Sequence, residues 1–537
     1  MNRVVPAEMC SLAIEPRVPV LRLGSARIVG RILAAMLAWW MATAGLDARE
    51  TWLRARTEHF EVFSAASEKQ TRRLIADLEQ FRASFIATFG LRPAHEPRVT
   101  VLLFNSDKLF TPYKPTYKGR PKEVTGYFIG GSDEVVIALN AAADDDDYGD
   151  PAETIFHEYV HLLLHTRGLQ LPAWLNEGLA ELFSTFRVNG EMVEFGLPKQ
   201  SYVDQLQVSS MMSLPRLMAV TEASPDYNEE SRASLFYAQS WALAHFLVCS
   251  EDRTLAARLG RFLATVNTAP TTADVTFREI FGKDFAGLDQ KLRQYLQGGR
   301  YYQRRAPVTL KNLAAGIAIR PATDFERDFA LLNLRWRVHR AGDTMLAALQ
   351  LAEKFPESPR PHELLAAIAA ADSDTSRALE RWQQAAELST ENAFVYVQGA
   401  RAKLVDAGFT ADLEQRLSDD DAALLRRWLD QAASRYPLYE DVLEVLALVE
   451  ARAPEFRVPV VNLIQSRVRQ FKDPYPTLLA LALIRWRAKD AATADEIVAS
   501  VMSAERARAE TKIAAQLLQV RFAAERGVVP DALPIRR

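Results

Sequence analysis

Apolar and polar positions alternate over "HFEVFSA" at 59–65, which predicts a strand. An amphipathic helix follows, from about Ser67 to a stop at Gly90. "RVTVLLF" at 98–104 reads as a second strand, and "NSDKLFTPYKPTYKGRPKEVTG" as a loop rich in Pro, Gly and Lys. "YFIGGSDEVVIAL" has the form of a hairpin, with "EVVIAL" at 134–139 as its second strand. The acidic run at 144–147 reads as a solvated loop. Asp150 as cap, Pro151 at the first helical position and Glu153 as capping-box partner then predict a helix that is apolar to Leu164 and ends at Gly168. A second helix is expected after Pro172, through "AWLNEGLAELFSTF", followed by helices over "SLFYAQSWALAHFLVCS" and "FAGLDQKLRQYLQ".

From about residue 305 the strand pattern stops. Apolar-periodic segments of roughly 12 to 18 residues alternate with short turns. Four of them share an ending and a restart. Aligned on Phe355, Leu388, Tyr436 and Phe471, they are spaced by 33, 48 and 35 residues. Two spacings lie near the period of about 34 of tetratricopeptide helix pairs, and the third requires an insertion. The pattern predicts an all-α solenoid over 306–537, whose stacked repeats would offer a surface to a protein partner.

The first 48 residues differ from the rest. Arg17, Arg22, Arg27 and Arg31 precede an uncharged run from Ile32 to Leu46, with small residues at 42–44 and 46–48. That order predicts an export signal and a periplasmic or secreted protein. The run is shorter than the roughly 20 residues of a spanning helix. A membrane anchor follows only if it stays uncleaved. The net charge of −3 gives no basic surface for nucleic acid. Of two cysteines, Cys10 belongs to the signal, and Cys249 reads as a small buried hydrophobe.

The chemistry is concentrated in "FHEYVHLLLH" at 156–165. Residues four apart share a helix face, about 6 Å along the axis, so His157 and His161 can offer two imidazoles to one metal ion. Glu158 is turned about 100° from His157 and can flank the ion as a general base. His165 lies about 12 Å up the helix from His157 and is expected to be a bystander. Chemistry of this type needs a third ligand. Glu177 stands sixteen residues after His161, and Glu181 shares its helix face. One can bind the metal while the other orients a ligand histidine. "HELLA" at 362–366 lacks the second histidine and is a decoy.

"HEYVH" with "WLNEGLAE" resembles the gluzincin zinc metallopeptidases, and most closely the peptidase-MA-like domains that secreted bacterial proteins join to tetratricopeptide repeats. The resemblance implies an α+β thermolysin-like domain over about 49–305. It implies zinc on His157, His161 and Glu177, with Glu158 as base and Glu181 behind a ligand. Tyr237, sixty residues after Glu177, matches the position of an oxyanion-stabilising tyrosine in the zinc aminopeptidases. His245 is an alternative donor. The Gly-x-Met-Glu-Asn strand that holds a substrate amine in those enzymes has no counterpart here. The implied activity is peptide hydrolysis by something other than a typical aminopeptidase. An edge strand within 124–139 would pair with an extended peptide. The rival expectation is a periplasmic scaffold with a non-catalytic metal domain.

Overall fold

The computed structural model describes residues 51–90, 97–117, 119–131, 133–142, 151–166, 171–228, 230–266, 272–282, 284–340, 342–406 and 415–527. The expected export segment, the acidic run at 144–147, the Asp150 cap and Gly168 lie outside them. No helix of the described residues is long and apolar enough to cross a membrane.

A six-stranded mixed sheet organises the first half of the chain. Its strands are β1 (Leu53–Arg56), β2 (Phe60–Ser64), β3 (Arg98–Phe104), β4 (Gly126–Ile129), β5 (Glu134–Asn140) and β9 (Ile319–Pro321), in the order β9-β1-β2-β3-β5-β4. β2, β3 and β5 run parallel, and the remaining neighbours are antiparallel. β3 and β5 read as nearly unbroken apolar runs because both of their faces are covered. Val99, Val101, Leu103, Val135, Ile137 and Leu139 point into the main core. Leu102, Phe104, Val136 and Ala138 point into a second cluster on the other face.

Helices α1 (Glu68–Phe89) and α2 (Pro151–Thr166) supply the main core with Ile75, Phe81, Phe85, Phe156, Tyr159 and Leu163. α1 starts on a Ser67–Gln70 capping box and stops at Gly90 with φ +66°, as its sequence predicts. α3 (Ala173–Ser184) packs on α2, and α4 (Glu230–Cys249) packs on α3. Between them a small antiparallel sheet joins β6 (Arg187–Asn189), β7 (Met192–Phe195) and β8 (Arg304–Pro307).

The chain past 305 departs from expectation. β8 and β9 are strands, and β9 extends the main sheet beside β1. α5 (Asp324–His339) then covers the far face of the sheet with Ala330 and Leu334. The core of the first half therefore runs past the expected boundary at 305, and residues 52–537 form one compact unit.

The remaining helices run from 344–354 to 509–525 and stack along the chain, with alternate members such as 393–406 and 440–452 also in contact. This is solenoid packing. Phe355, Leu388 and Tyr436 cap the C-termini of helices 344–354, 375–387 and 419–435. Phe471 closes the turn after helix 458–467. Phe355 and Tyr436 share one cap conformation, with φ −130° and −131°, whereas Leu388 is near-helical and Phe471 is extended. The 48-residue spacing contains residues 407–414, where the expected insertion lies outside the described residues.

Sheet, α5 and solenoid meet at Glu134, which is 4% exposed. It accepts hydrogen bonds from Thr100 (2.5 Å) and Asn333 (2.8 Å), and ion-pairs with Arg337 (3.4 Å) and Arg360 (3.5 Å). Burial alone would raise its pKa, but Arg360, Arg337 and Arg98 outweigh it and hold the carboxyl at about 2. The folded value lies below the ordinary 4.5, so the ionised form stabilises the fold. That stabilisation is complete above the ordinary value and is lost as pH falls through about 2. Glu134→Gln should cost about 3–5 kcal/mol at pH 7 and flatten the acid limb of stability, read by urea unfolding between pH 7 and pH 3. An unchanged midpoint at pH 7 would show that the network contributes nothing.

Candidate metal centre

α2 presents two faces. Phe156, Tyr159, Val160 and Leu163 are buried in the core, whereas His157, Glu158 and His161 are half-buried on the side toward α3. α3 is buried along nearly its whole length, carboxylates included: Glu177 is 4% and Glu181 7% exposed. α4 can lie close to α3 because Gly178 follows Glu177. A Cβ there would stand 2.4 Å from the Ser240 carbonyl oxygen and 3.0 Å from the Ala244 Cβ.

This packing brings three donors together. Nε2 of His157 and Nε2 of His161 are 3.1 Å apart, and each is 3.5 Å from Oε2 of Glu177. Together they form a cluster able to hold a metal ion. A tetrahedral ion with bonds of about 2.0–2.1 Å needs donors roughly 3.3–3.4 Å apart. The observed triangle fits that size.

The other oxygen of Glu177 is occupied. Oε1 accepts a hydrogen bond from the Tyr227 hydroxyl at 2.7 Å, which leaves Oε2 to face the two imidazoles. Burial would raise the Glu177 pKa, but His157, His161 and Tyr227 hold the carboxyl at about 2. His161 is pushed up in turn. Burial opposes its charge, and Glu177, with Asn176 and Glu158 beside it, prevails. Burial and the Glu177 charge push the Tyr227 phenol far up, so it stays protonated and donates.

Glu181 sits behind His157. Its Oε1 lies 3.4 Å from Nδ1 of His157, the ring nitrogen turned away from the cluster. Its Oε2 is bound by Nζ of Lys199 at 2.5 Å. Tyr237 is half-buried on α4 beside Tyr227, with ring centroids 6.0 Å apart. Its pKa is raised by burial first, then by Glu177, Glu181 and Glu158. Glu158 acts electrostatically on both His161 and Tyr237.

The structure thus brings His157, His161, Glu177 and Glu181 together, with Glu158 and Tyr237 within electrostatic reach, and it leaves three residues elsewhere. His165 is exposed at the end of α2, under the influence of Lys472 and Asp441 of the solenoid. His245 is fully buried and takes no part in the cluster: Nε2 donates to the Gly196 carbonyl (2.9 Å), and Nδ1 accepts from Tyr295 (2.8 Å). Cys249 is buried and its thiol is pushed up to about 12 by burial, which suits a packing role. Tyr227, Tyr202 and Lys199 are site residues that sequence reasoning missed. A larger cavity of about 730 Å³ lies between the sheet and the solenoid, away from the cluster. Its Arg54, Arg56, Arg98 and Arg360 are all ion-paired.

A family model described as a protein of unknown function (DUF1570) matches residues 151–267. That stretch opens at the first turn of α2 and holds every residue of the cluster. No curated protein and no solved structure matches the chain.

Gly178→Ala tests whether the close approach of α4 builds the site. The added methyl must displace backbone, so the variant should lose about 1–3 kcal/mol of stability in urea unfolding. Stability equal to that of the parent would mean that the α3–α4 contact is loose.

Proposed function

We propose that this chain is a zinc-dependent peptidase that hydrolyses peptide or protein substrates outside the cytoplasm. The observation that carries the reading is the donor triangle of His157, His161 and Glu177, with Glu158 the next residue on the same helix. His157, His161 and Glu177 would hold the zinc. Two imidazoles and one carboxylate leave a tetrahedral ion one open position, the ligand set of hydrolytic sites. Zinc would supply Lewis acidity, polarising a carbonyl and favouring water as a nucleophile near neutral pH.

The other steps belong to side chains of the chain itself. Glu158 is half-buried and turned about 100° from His157, so it can take a proton from the attacking water and return it to the leaving amine. Tyr237 carries a protonated phenol and can donate to the oxyanion that forms as the carbonyl is attacked. Oε1 of Glu181, 3.4 Å from Nδ1 of His157, is placed to orient that ring with Nε2 toward the cluster.

A peptide substrate is supported by β4. It is one of the two outer strands of the sheet among the described residues, and it packs beside α2. Its free edge offers backbone groups to an extended chain. The solenoid offers a surface for the substrate or a protein partner. Export is supported by the basic start and apolar run of residues 17–46.

Metal analysis of the protein lacking residues 1–48 should find about one zinc per chain, lost in His161→Ala. Glu158→Gln should keep the metal and lose cleavage of a peptide library by roughly 100-fold or more. Cleavage at the parent rate in that variant would sink the mechanism. Bound zinc with no cleavage by the parent protein would point to a scaffold.

A further inference from the structure

Glu181 would orient His157 only if something orients Glu181. A carboxylate on a helix has rotatable bonds, and in the arrangement seen here Oε1 stands 3.4 Å from Nδ1 of His157. Its other oxygen is held by Nζ of Lys199 at 2.5 Å, on a side chain that is 19% exposed. The charge of the same carboxylate also acts on the Tyr202 phenol, whose pKa is raised by burial first and then by Glu181. Nζ also stands 3.7 Å from Oε2 of Glu153, in the first turn of α2, and 5.5 Å from the Tyr202 ring centroid.

Lys199 is itself placed by a braced turn. Gly196 has φ +74°, and a Cβ there would meet Cys249 Sγ at 2.8 Å. Its N–H donates to the Leu182 carbonyl at 3.3 Å, and its own carbonyl accepts from His245 at 2.9 Å. The N–H of Leu197 donates to Oγ1 of Thr185 at 3.0 Å. Tyr295 completes the brace by donating to His245. The buried histidine that plays no part in the cluster therefore fixes the turn from which Lys199 reaches it. On its other side Lys199 borders a cleft of about 390 Å³ with Glu153, Thr185 and Tyr202.

We propose that Lys199 is a positioning residue of the metal centre, acting through Glu181 on His157. It takes one oxygen of Glu181 and so commits the other to Nδ1 of His157. The inference rests on the metal-centre reading above.

The test measures zinc affinity by competition with a chromophoric chelator, and the visible absorption of the cobalt-substituted protein. Lys199→Met should weaken zinc binding by about 10-fold or more and alter the cobalt bands in a metal-free protein that still folds, at a lower melting temperature because Glu181 loses its cation. Lys199→Arg, which keeps a cation within reach, should restore most of the affinity. In a Glu181→Gln background, Lys199→Met should add nothing, since both changes break one chain of contacts. Parent-like affinity and cobalt spectrum in Lys199→Met would overturn this proposal and leave the metal centre intact. So would an effect that persists undiminished without Glu181. Failure of the parent protein to bind zinc or cobalt would remove both readings together.

Discussion

The Glu177 carboxylate is taken out of water, to 4% exposure, against two imidazoles and a phenol. A buried carboxylate is costly unless positive charge or several donors compensate it. The same chain shows the alternative solution at Glu134, equally buried, where guanidinium groups do the compensating. Around Glu177 the compensation comes from groups that bind metals or donate hydrogen bonds. The two sites have similar burial and opposite chemistry. A charge surrounded by arginines is a structural joint. A charge that shares a 3.1–3.5 Å triangle with two Nε2 atoms is shaped for a cation of higher charge density.

Holding that geometry needs three elements to approach closely, and the sequence meets this with residues that are small or bonded at the contact points. Gly178 admits the backbone of α4 at Ser240. Tyr227, from the short helix before α4, reaches back across the contact to Glu177. Gly196 lets the turn after β7 fold against the end of α3 and the buried His245. Each contact secures an outer partner of the cluster, and each is made by a residue unable to bind metal from its place.

The parts of this site that were legible in the sequence are those set by local geometry. The shared face of His157 and His161 follows from the 3.6-residue helical repeat, as does that of Glu177 and Glu181 on the next helix, and the resemblance implies which carboxylate binds. Tyr227 and Lys199 are fifty and eighteen residues from the carboxylates they hold. No periodicity links such pairs, because their separation is decided by how helices and turns pack. The sheet was legible where β3 and β5 form long apolar runs. β8 and β9 were not, since "RRAP" and "IRP" are short, contain proline and are partly exposed. They join sheets through backbone pairing, which leaves little mark on hydropathy. Missing them also misplaced the boundary at 305, since β9 and α5 belong to the core of the first half. His245 carried an attractive residue type in an apolar helix, and only its buried partners show that it braces a turn.

The joint at Glu134 bears on how the two halves work together. Glu134 is the first residue of β5, the strand next to the edge strand β4. Arg337 comes from α5, Arg360 from the first turn of helix 360–371, and Arg98 from β3, which also pairs with Glu363 at 3.2 Å. Asn392, just before helix 393–406, donates to the backbone of Asp133. The solenoid is thus anchored at several points to the strand beside the one that supports a peptide-binding role. A solenoid tethered by a flexible linker would gather substrate without orienting it. One bolted through a buried charge to β5 presents its surface in a fixed direction relative to β4 and α2. Removing the charge at Glu134 would loosen that direction as well as the fold, which, on the proposed reading, links this joint to the geometry with which a substrate would meet the candidate metal centre.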